Sequence, residues 1–217
     1  MQNQLRHIII YKGRALKVIA IIDYNVGNLF SVKNALDYIG ETSEITSDVH
    51  VIERADEMIL PGVGAFPDAM RELEKTGLIQ TIRNEAAKKP LLGICLGMQM
   101  LFEKSFEFEE CEGLRLIEGK VDRIPAGSLK IPHMGWNELT FLNSCPLLHG
   151  VQQGSYVYFV HSFMAFANDC NIAAFTEYGA KIPALVQSGN VYGAQFHPEK
   201  SGEIGLEMLR NFGGLIG

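Results

Sequence analysis

Residues 90–100, PLLGICLGMQM, set one cysteine, Cys95, between two glycines where an apolar run gives way to a helix-forming one. A thiol at that corner has two readings. It is a packing residue, since free cysteine is among the most buried side chains, or it is a nucleophile on a tight strand-to-helix turn. Gly93 and Gly97 remove Cβ atoms that would block such a turn and a close-lying substrate. A helix opening at Leu96 would turn unpaired N–H groups and its positive end toward Cys95, which favours the thiolate. The Leu96 N–H would also stand where an oxyanion forms. Gln99, about one turn further on, would direct its amide to the same cleft. The G-x-C-x-G pattern alone does not choose between the two readings.

A thiol nucleophile needs a base, and the chain has six histidines. His7, His50 and His149 lie in polar or turn-like surroundings and read as surface residues. His197 differs: in NVYGAQFHPEKSG, the apolar run 191–196 predicts a strand with His197 at its carboxyl end. Pro198 restricts His197 to extended backbone. In extended backbone, residues i and i+2 point the same way, so Glu199 is expected beside the imidazole. A carboxylate there fixes the tautomer and stabilises the imidazolium. The alternative is a strand-end turn with a surface ion pair. Joined with the Cys95 corner, the three residues read as nucleophile, acid–base and orienting carboxylate.

The elements that must position them follow from the pattern of apolar residues. KVIAIIDY (17–24) is nearly continuous in apolar residues, as in a strand covered on both faces. NVGN then turns the chain at Gly27, and Asn28 is expected to cap a helix that buries Leu29, Val32, Leu36 and Ile39 and ends at Gly40. EMILPGVGAF (57–66) repeats the scheme, with a strand, a Gly62-Val63-Gly64 turn, and a helix from Pro67 to Gly77. TIRNEAAKK continues helically, and PLLGIC is the next strand. This alternation predicts a parallel sheet with crossover helices, whose ligands collect at the carboxyl ends of the strands. After Cys111 the chain turns β-rich: GLRLIEGKVDRI, WNELTFL, YVYFVHSF, CNIAAFTEY and ALVQSGNVYGAQFH are expected to add antiparallel or mixed strands to the same sheet. IGLEMLRNFGGLI is a closing helix.

With 217 residues, 47% of them hydrophobic and 20% charged, the chain suits one globular domain. A net charge of −6 without clustered basic residues argues against a nucleic-acid partner. The acidic run FEFEECEG (106–113) is expected to be a solvated face. Cys95, Cys111, Cys145 and Cys170 include no C-x-x-C pair, so no metal is expected, and scattered thiols of this kind fit a reducing cytoplasm. No apolar stretch is long enough to span a bilayer. Residues 1–16 precede the domain, which is placed at 17–217. Their apolar core is too short for a secretory signal, and they read as an extension of unknown role: an added edge strand, a cloning remnant or an early start.

GICLGMQ together with FHPE resembles the class I (triad) glutamine amidotransferases, and the resemblance covers residues 17–217. It implies a flavodoxin-like α/β fold with a mixed, mostly parallel central sheet and flanking helices. It also implies hydrolysis of L-glutamine to glutamate and ammonia, with Cys95 attacking the amide, His197 moving protons and Glu199 orienting His197, and no cofactor. IIDYNVGN, LPGVGAF, PHMGWN (132–137), YFVHSF (158–163) and FHPEKSG are similar to one branch, the glutaminase subunits of imidazole glycerol phosphate synthases. Anthranilate and aminodeoxychorismate synthase glutaminases lack PHMGWN, pyridoxal phosphate glutaminases have a different elbow, and GMP synthetase carries a further domain. The branch implies oxyanion donors at Val63 and Leu96, and glutamine held by Gly62, Gly64, Gln99, His161, Ser162 and Phe163. It further implies a heterodimer with a (β/α)₈ cyclase facing Asn25, Asn28, Trp136 and Lys200. The cyclase would use the ammonia to form imidazole glycerol phosphate and aminoimidazole carboxamide ribotide in histidine biosynthesis. Phe163 stands where a tyrosine is common. From the residues alone, Trp136 and His133 could simply pack a turn, and YFVHSF could be a plain central strand. The rivals are a glutaminase of another amidotransferase, a cysteine hydrolase on a similar fold and a non-catalytic binding subunit. Glu199 and Gln99 argue against the hydrolase, and the intact triad against the binding subunit.

Overall fold

The computed structural model describes Ile10–Tyr11, Arg14–Ala15 and residues 17–216. The reading of the leading segment, including His7, falls largely outside these residues. Ile10–Tyr11 and Arg14–Ala15 pair antiparallel with each other, in a two-stranded sheet of their own.

An eight-stranded sheet organises the chain. Its strands run in the order Thr140–Phe141, Ile172–Glu177, Lys181–Ser188, Val191–Ala194, Leu91–Cys95, Glu57–Gly62, Ile19–Ile22, Ser43–Thr46. The last five are mutually parallel, and the first three are antiparallel additions. Numbered along the chain, the parallel strands lie in the order 2-1-3-4-5, the flavodoxin-like arrangement. The near-continuous apolar runs have the expected cause. Ile19, Ile21, Ile59, Leu92 and Ile94 point into one core, packed under the Leu29–Ile39 and Gly202–Gly213 helices. Ala20, Ile22, Met58, Leu60 and Leu91 point into the other, with Phe66, Leu73 and Ile82 of the Phe66–Thr76 and Ile79–Ala86 helices. Side chains alternate across each strand, so only a strand covered on both faces needs apolar residues at every position.

Two expectations are corrected. Asn28 occupies the cap position of the Leu29–Ile39 helix, but its side chain makes no capping bond: at φ −91°, ψ 63° it is outside the extended conformation that aims a side-chain oxygen at the first turn. The β-rich second half does not all join the main sheet. Ile117–Arg123, Phe102–Ser105, Cys111–Glu112 and Phe163–Phe166 form a four-stranded sheet, and His133–Glu138 pairs with Tyr156–His161 alone. Of these, Ile117–Arg123, His133–Glu138 and Tyr156–His161 alternate more and less buried residues, a pattern suited to a sheet with one wet face. No helix among the described residues is long and apolar enough to cross a membrane.

Candidate active site

Cys95 ends the Leu91–Cys95 strand and caps the short Leu96–Met100 helix at φ 55°, ψ −110°. A positive φ is costly for any residue with a Cβ, on the order of 1–3 kcal/mol. The packing around the elbow holds it there. A Cβ at Gly93 would stand 2.6 Å from Gly97 O, and one at Gly97 would overlap the carbonyl oxygen of Leu60 on the neighbouring strand. The elbow is thus wedged against the Glu57–Gly62 strand, in register at Gly62↔Cys95.

His197 follows the Val191–Ala194 strand, which lies parallel to Leu91–Cys95 on the other side. Its backbone N–H donates to Tyr158 O at 3.0 Å, its carbonyl accepts from Ser201 Oγ at 2.6 Å, and Tyr158 N–H donates to that Oγ at 3.0 Å. His197 Nδ1–H donates to Glu199 Oε1 at 2.8 Å, with both side chains almost fully buried. The bond forms by a different route from the expected one. His197 is extended, but Pro198–Lys200 is a turn of 3-10 helix that curls the Glu199 carboxylate back to the ring. Burial alone would lower the basicity of His197. Its interactions with the Cys95 thiol and Glu199 outweigh this and raise its pKa to about 9.

A cavity of about 280 Å³ opens in front of Cys95. Val63 and Gly64 form one side, Leu96 and Gln99 the elbow side, and His161, Ser162 and Phe163 the far wall. Leu96 is the first residue of its helix, so its N–H has no acceptor within that helix. Gln99 Nε2 donates to Phe163 O at 3.0 Å and to Gln195 Oε1 at 2.9 Å. A carbonyl only accepts, so this orientation is fixed and only Oε1 of Gln99 is left to meet a ligand. Gly62 is the exception among the expected pocket residues. It is not among the residues that line the cavity, and a Cβ there would be 2.6 Å from Gly97 N.

Two residues were not singled out from the sequence. Gln195 is fully buried, and its Nε2 points at Cys95 Sγ from 3.9 Å. Its position two before His197, on the same side of the run, was the available signal. Glu107 lines the cavity although the run around it was expected to be solvated. Glu109, Glu110 and Glu112 are exposed, whereas Glu107 is buried and accepts from Phe66 N–H at 2.8 Å. Burial holds its carboxyl above the ordinary range, the Phe66 bond offsetting part of this. Of the residues expected toward a partner, Asn25, Trp136 and Lys200 are exposed and Asn28 is half-buried. His50 and His149 are exposed, as expected. No group of three or more metal-ligating side chains occurs among the described residues.

Residues 20–214 match the family described as glutamine amidotransferase class-I. The imidazole glycerol phosphate synthase subunit HisH of Caldanaerobacter subterraneus subsp. tengcongensis is 54% identical over 201 residues, covering 92% of this chain and 98% of that protein. The subunit HisH of Bacillus anthracis is 52% identical over 200 residues, covering 92% and 95%. Among solved structures, PurLQS from Thermotoga maritima superposes with a TM-score of 0.73 at 19% identity, over 93% of this chain and 100% of that one. A further crystal structure of a glutamine amidotransferase gives 0.70 at 19% identity, over 90% and 98%. These two likenesses concern the fold, while the relatives narrow the branch. The chain belongs to the class-I glutamine amidotransferases, and among them to the HisH subunits of imidazole glycerol phosphate synthase.

Proposed function

We propose that Cys95, His197 and Glu199 carry out the glutaminase reaction that this chain contributes to histidine biosynthesis. The Cys95 thiolate attacks the side-chain carboxamide carbon of L-glutamine. The N–H groups of Leu96 and Val63 receive the oxyanion, a contribution often worth about 3 kcal/mol per donor. His197 protonates the departing ammonia, then takes a proton from the water that hydrolyses the γ-glutamyl thioester, and glutamate leaves. Glu199 stabilises the imidazolium in both halves. At the far end of the cavity, the α-ammonium group would meet Glu107 and Gln99 Oε1, and the α-carboxylate the Ser162–Phe163 backbone. Glu107 is a hydrogen-bonded, buried carboxyl opposite a nucleophile, which suits a cationic group. The observation that carries the reading is the strained Cys95 elbow facing the buried His197–Glu199 pair across one cavity.

The ammonia needs a consumer, and a (β/α)₈ cyclase is the proposed partner. Asn25 and Asn28 follow one parallel strand and Lys200 another, at the same carboxyl end as the cavity. Trp136 and Met134 expose large apolar surfaces on the His133–Glu138 strand. Cys95→Ala should abolish glutamine-dependent product formation with the cyclase present, while synthesis from added ammonium salts continues. Glutamate release by the Ala variant at the wild-type rate would refute the nucleophile.

A further inference from the structure

The two buried histidines outside the triad form a chain of hydrogen bonds that ends on the cavity wall. Asn137 Nδ2 lies 3.3 Å from His133 Nε2, His133 Nδ1 lies 3.0 Å from His161 Nε2, and His161 Nδ1 lies 2.8 Å from Phe163 O. The protons in this chain have one arrangement. Phe163 O only accepts, so His161 carries its proton on Nδ1. Its Nε2 then accepts, so His133 carries its proton on Nδ1. His133 Nε2 accepts in turn, and the Asn137 amide donates. Asn137 Nδ2 also donates to Glu177 O at 3.1 Å, which fixes the amide's orientation independently. All three bonds therefore run from Asn137 toward Phe163. Burial holds both imidazoles down to about 4, so neither takes a second proton near neutral pH. The His133 ring cannot swing aside. It is stacked between Phe159, at 4.8 Å and 24°, and Tyr178, at 4.1 Å and 22°.

The far end of the chain matters because of where Phe163 sits. Ser162 is the bend at which the backbone leaves the Tyr156–His161 strand and enters Phe163–Phe166 in a different sheet. No single ladder of backbone bonds sets the orientation of that corner. The Phe163 carbonyl is held from one side by Gln99 and from the other by His161. His161, Ser162 and Phe163 line the cavity, whereas His133 does not.

We infer that His133 is a positioning residue for glutamine, acting through His161 and the Phe163 carbonyl to hold the cavity wall that receives the amino-acid end of the substrate. The inference rests on the glutaminase reading of the cavity. Removing the His133 donor leaves His161 Nε2 buried without a partner. A tautomer shift does not relieve this, since an Nε2–H would lack an acceptor, and it surrenders the bond to Phe163 as well. The reacting atoms at Cys95 are untouched in either case, so substrate affinity is where the effect falls.

The test compares His133→Leu with His133→Asn in the full chain, by glutamate release over a range of glutamine concentrations. Asparagine retains an N–H donor near the position of Nδ1, and leucine does not. The expected result for His133→Leu is a KM raised about tenfold or more with kcat within about threefold, and for His133→Asn a KM near wild type. An unchanged KM in a folded His133→Leu variant, or a loss in His133→Asn equal to that in the leucine variant, would overturn the inference. Should the leucine variant not fold, ¹⁵N NMR of the wild type decides: both imidazoles are expected neutral with the proton on Nδ1, and a proton on Nε2 of His161 overturns the inference. Absence of glutamate release by the wild type would instead overturn the glutaminase reading, and this inference with it.

Discussion

Glu199 presents one oxygen to His197 and keeps the other, Oε2, buried without a hydrogen-bond partner among the described residues. The geometry makes Glu199→Gln an informative substitution. The amide oxygen can accept from His197 Nδ1–H, which turns a buried amide nitrogen to the place of Oε2, where the wild-type side chain makes no hydrogen bond among the described residues. The variant should therefore fold with a modest loss of stability, about 1–3 kcal/mol, and hold the ring in the same tautomer. It removes the negative charge that supports the imidazolium. Turnover should fall roughly tenfold to a thousandfold, and by less than in Cys95→Ala. Because Glu199 is one of the two groups raising His197 to about 9, the alkaline limb of kcat/KM should also move to lower pH. A pH–rate profile identical to wild type would mean that the carboxylate does not act on His197.

The elbow is built by close packing between elements, and its glycines separate into two kinds. Gly97→Ala should be severely destabilising, by more than about 3 kcal/mol, because the new methyl group would overlap the Leu60 carbonyl on a central strand. Gly64 has open space around it but a φ of 92°, so Gly64→Ala should fold with a penalty of about 1–2 kcal/mol and show its main effect on turnover, through the Val63 N–H beside it. Urea denaturation and glutaminase kinetics on the two variants check this, and equal stabilities would refute the distinction. The same contrast shows what was legible in the sequence. Cys95 between glycines and His197 before proline are local turn chemistry, so they could be read without knowing their neighbours. The parallel strands were legible because burial on both faces leaves a continuous apolar run. Glu199 was placed beside His197 for a reason that did not hold, since proline opens a 3-10 turn as readily as it enforces extension. Gly62 is packed closely because the first turn of the helix after Cys95, at Leu96 and Gly97, presses against it, and that approach is invisible in sequence. Glu107 was missed for a similar reason. Nothing distinguishes it from Glu109 and Glu110 until the Phe66 N–H meets it across 41 residues. The strands of the small sheets were legible as β-rich pieces, but the sheet each joins was not.

At the scale of the whole molecule, buried titratable groups at different places oppose each other in the pH dependence of stability. His133 and His161 titrate near 4 in the folded chain against an ordinary 6.5, with burial the main cause. Between those values the unfolded chain binds protons that the folded one refuses, so stability falls as pH falls through the window. Glu57, at the start of the Glu57–Gly62 strand, behaves in the opposite sense. Burial raises it from 4.5 to about 7, in spite of the Lys17 ammonium 2.7 Å away. Between 4.5 and 7 it is the folded chain that holds the extra proton, so this contribution is present at low pH and lost as pH rises. Between 4.5 and 6.5 the one proton of Glu57 offsets about half of the two histidine protons, so stability still falls as pH falls. Above that range the Glu57 penalty is complete, on the order of 3 kcal/mol for a shift from 4.5 to about 7, while His197, raised to about 9, loses its own contribution as pH rises from 6.5 to 9. Glu57→Gln imitates the protonated side chain at every pH. It should match the wild type at pH 4.5 and exceed it by on the order of 3 kcal/mol at pH 8. Lys17 should not reverse the sign, because its ammonium also donates to the carbonyls of Gly213 and Ile216 and keeps partners when the carboxylate is gone. Urea denaturation of both proteins at the two pH values measures the difference, and a gap that does not widen with pH would show that Glu57 is already ionised in the folded chain.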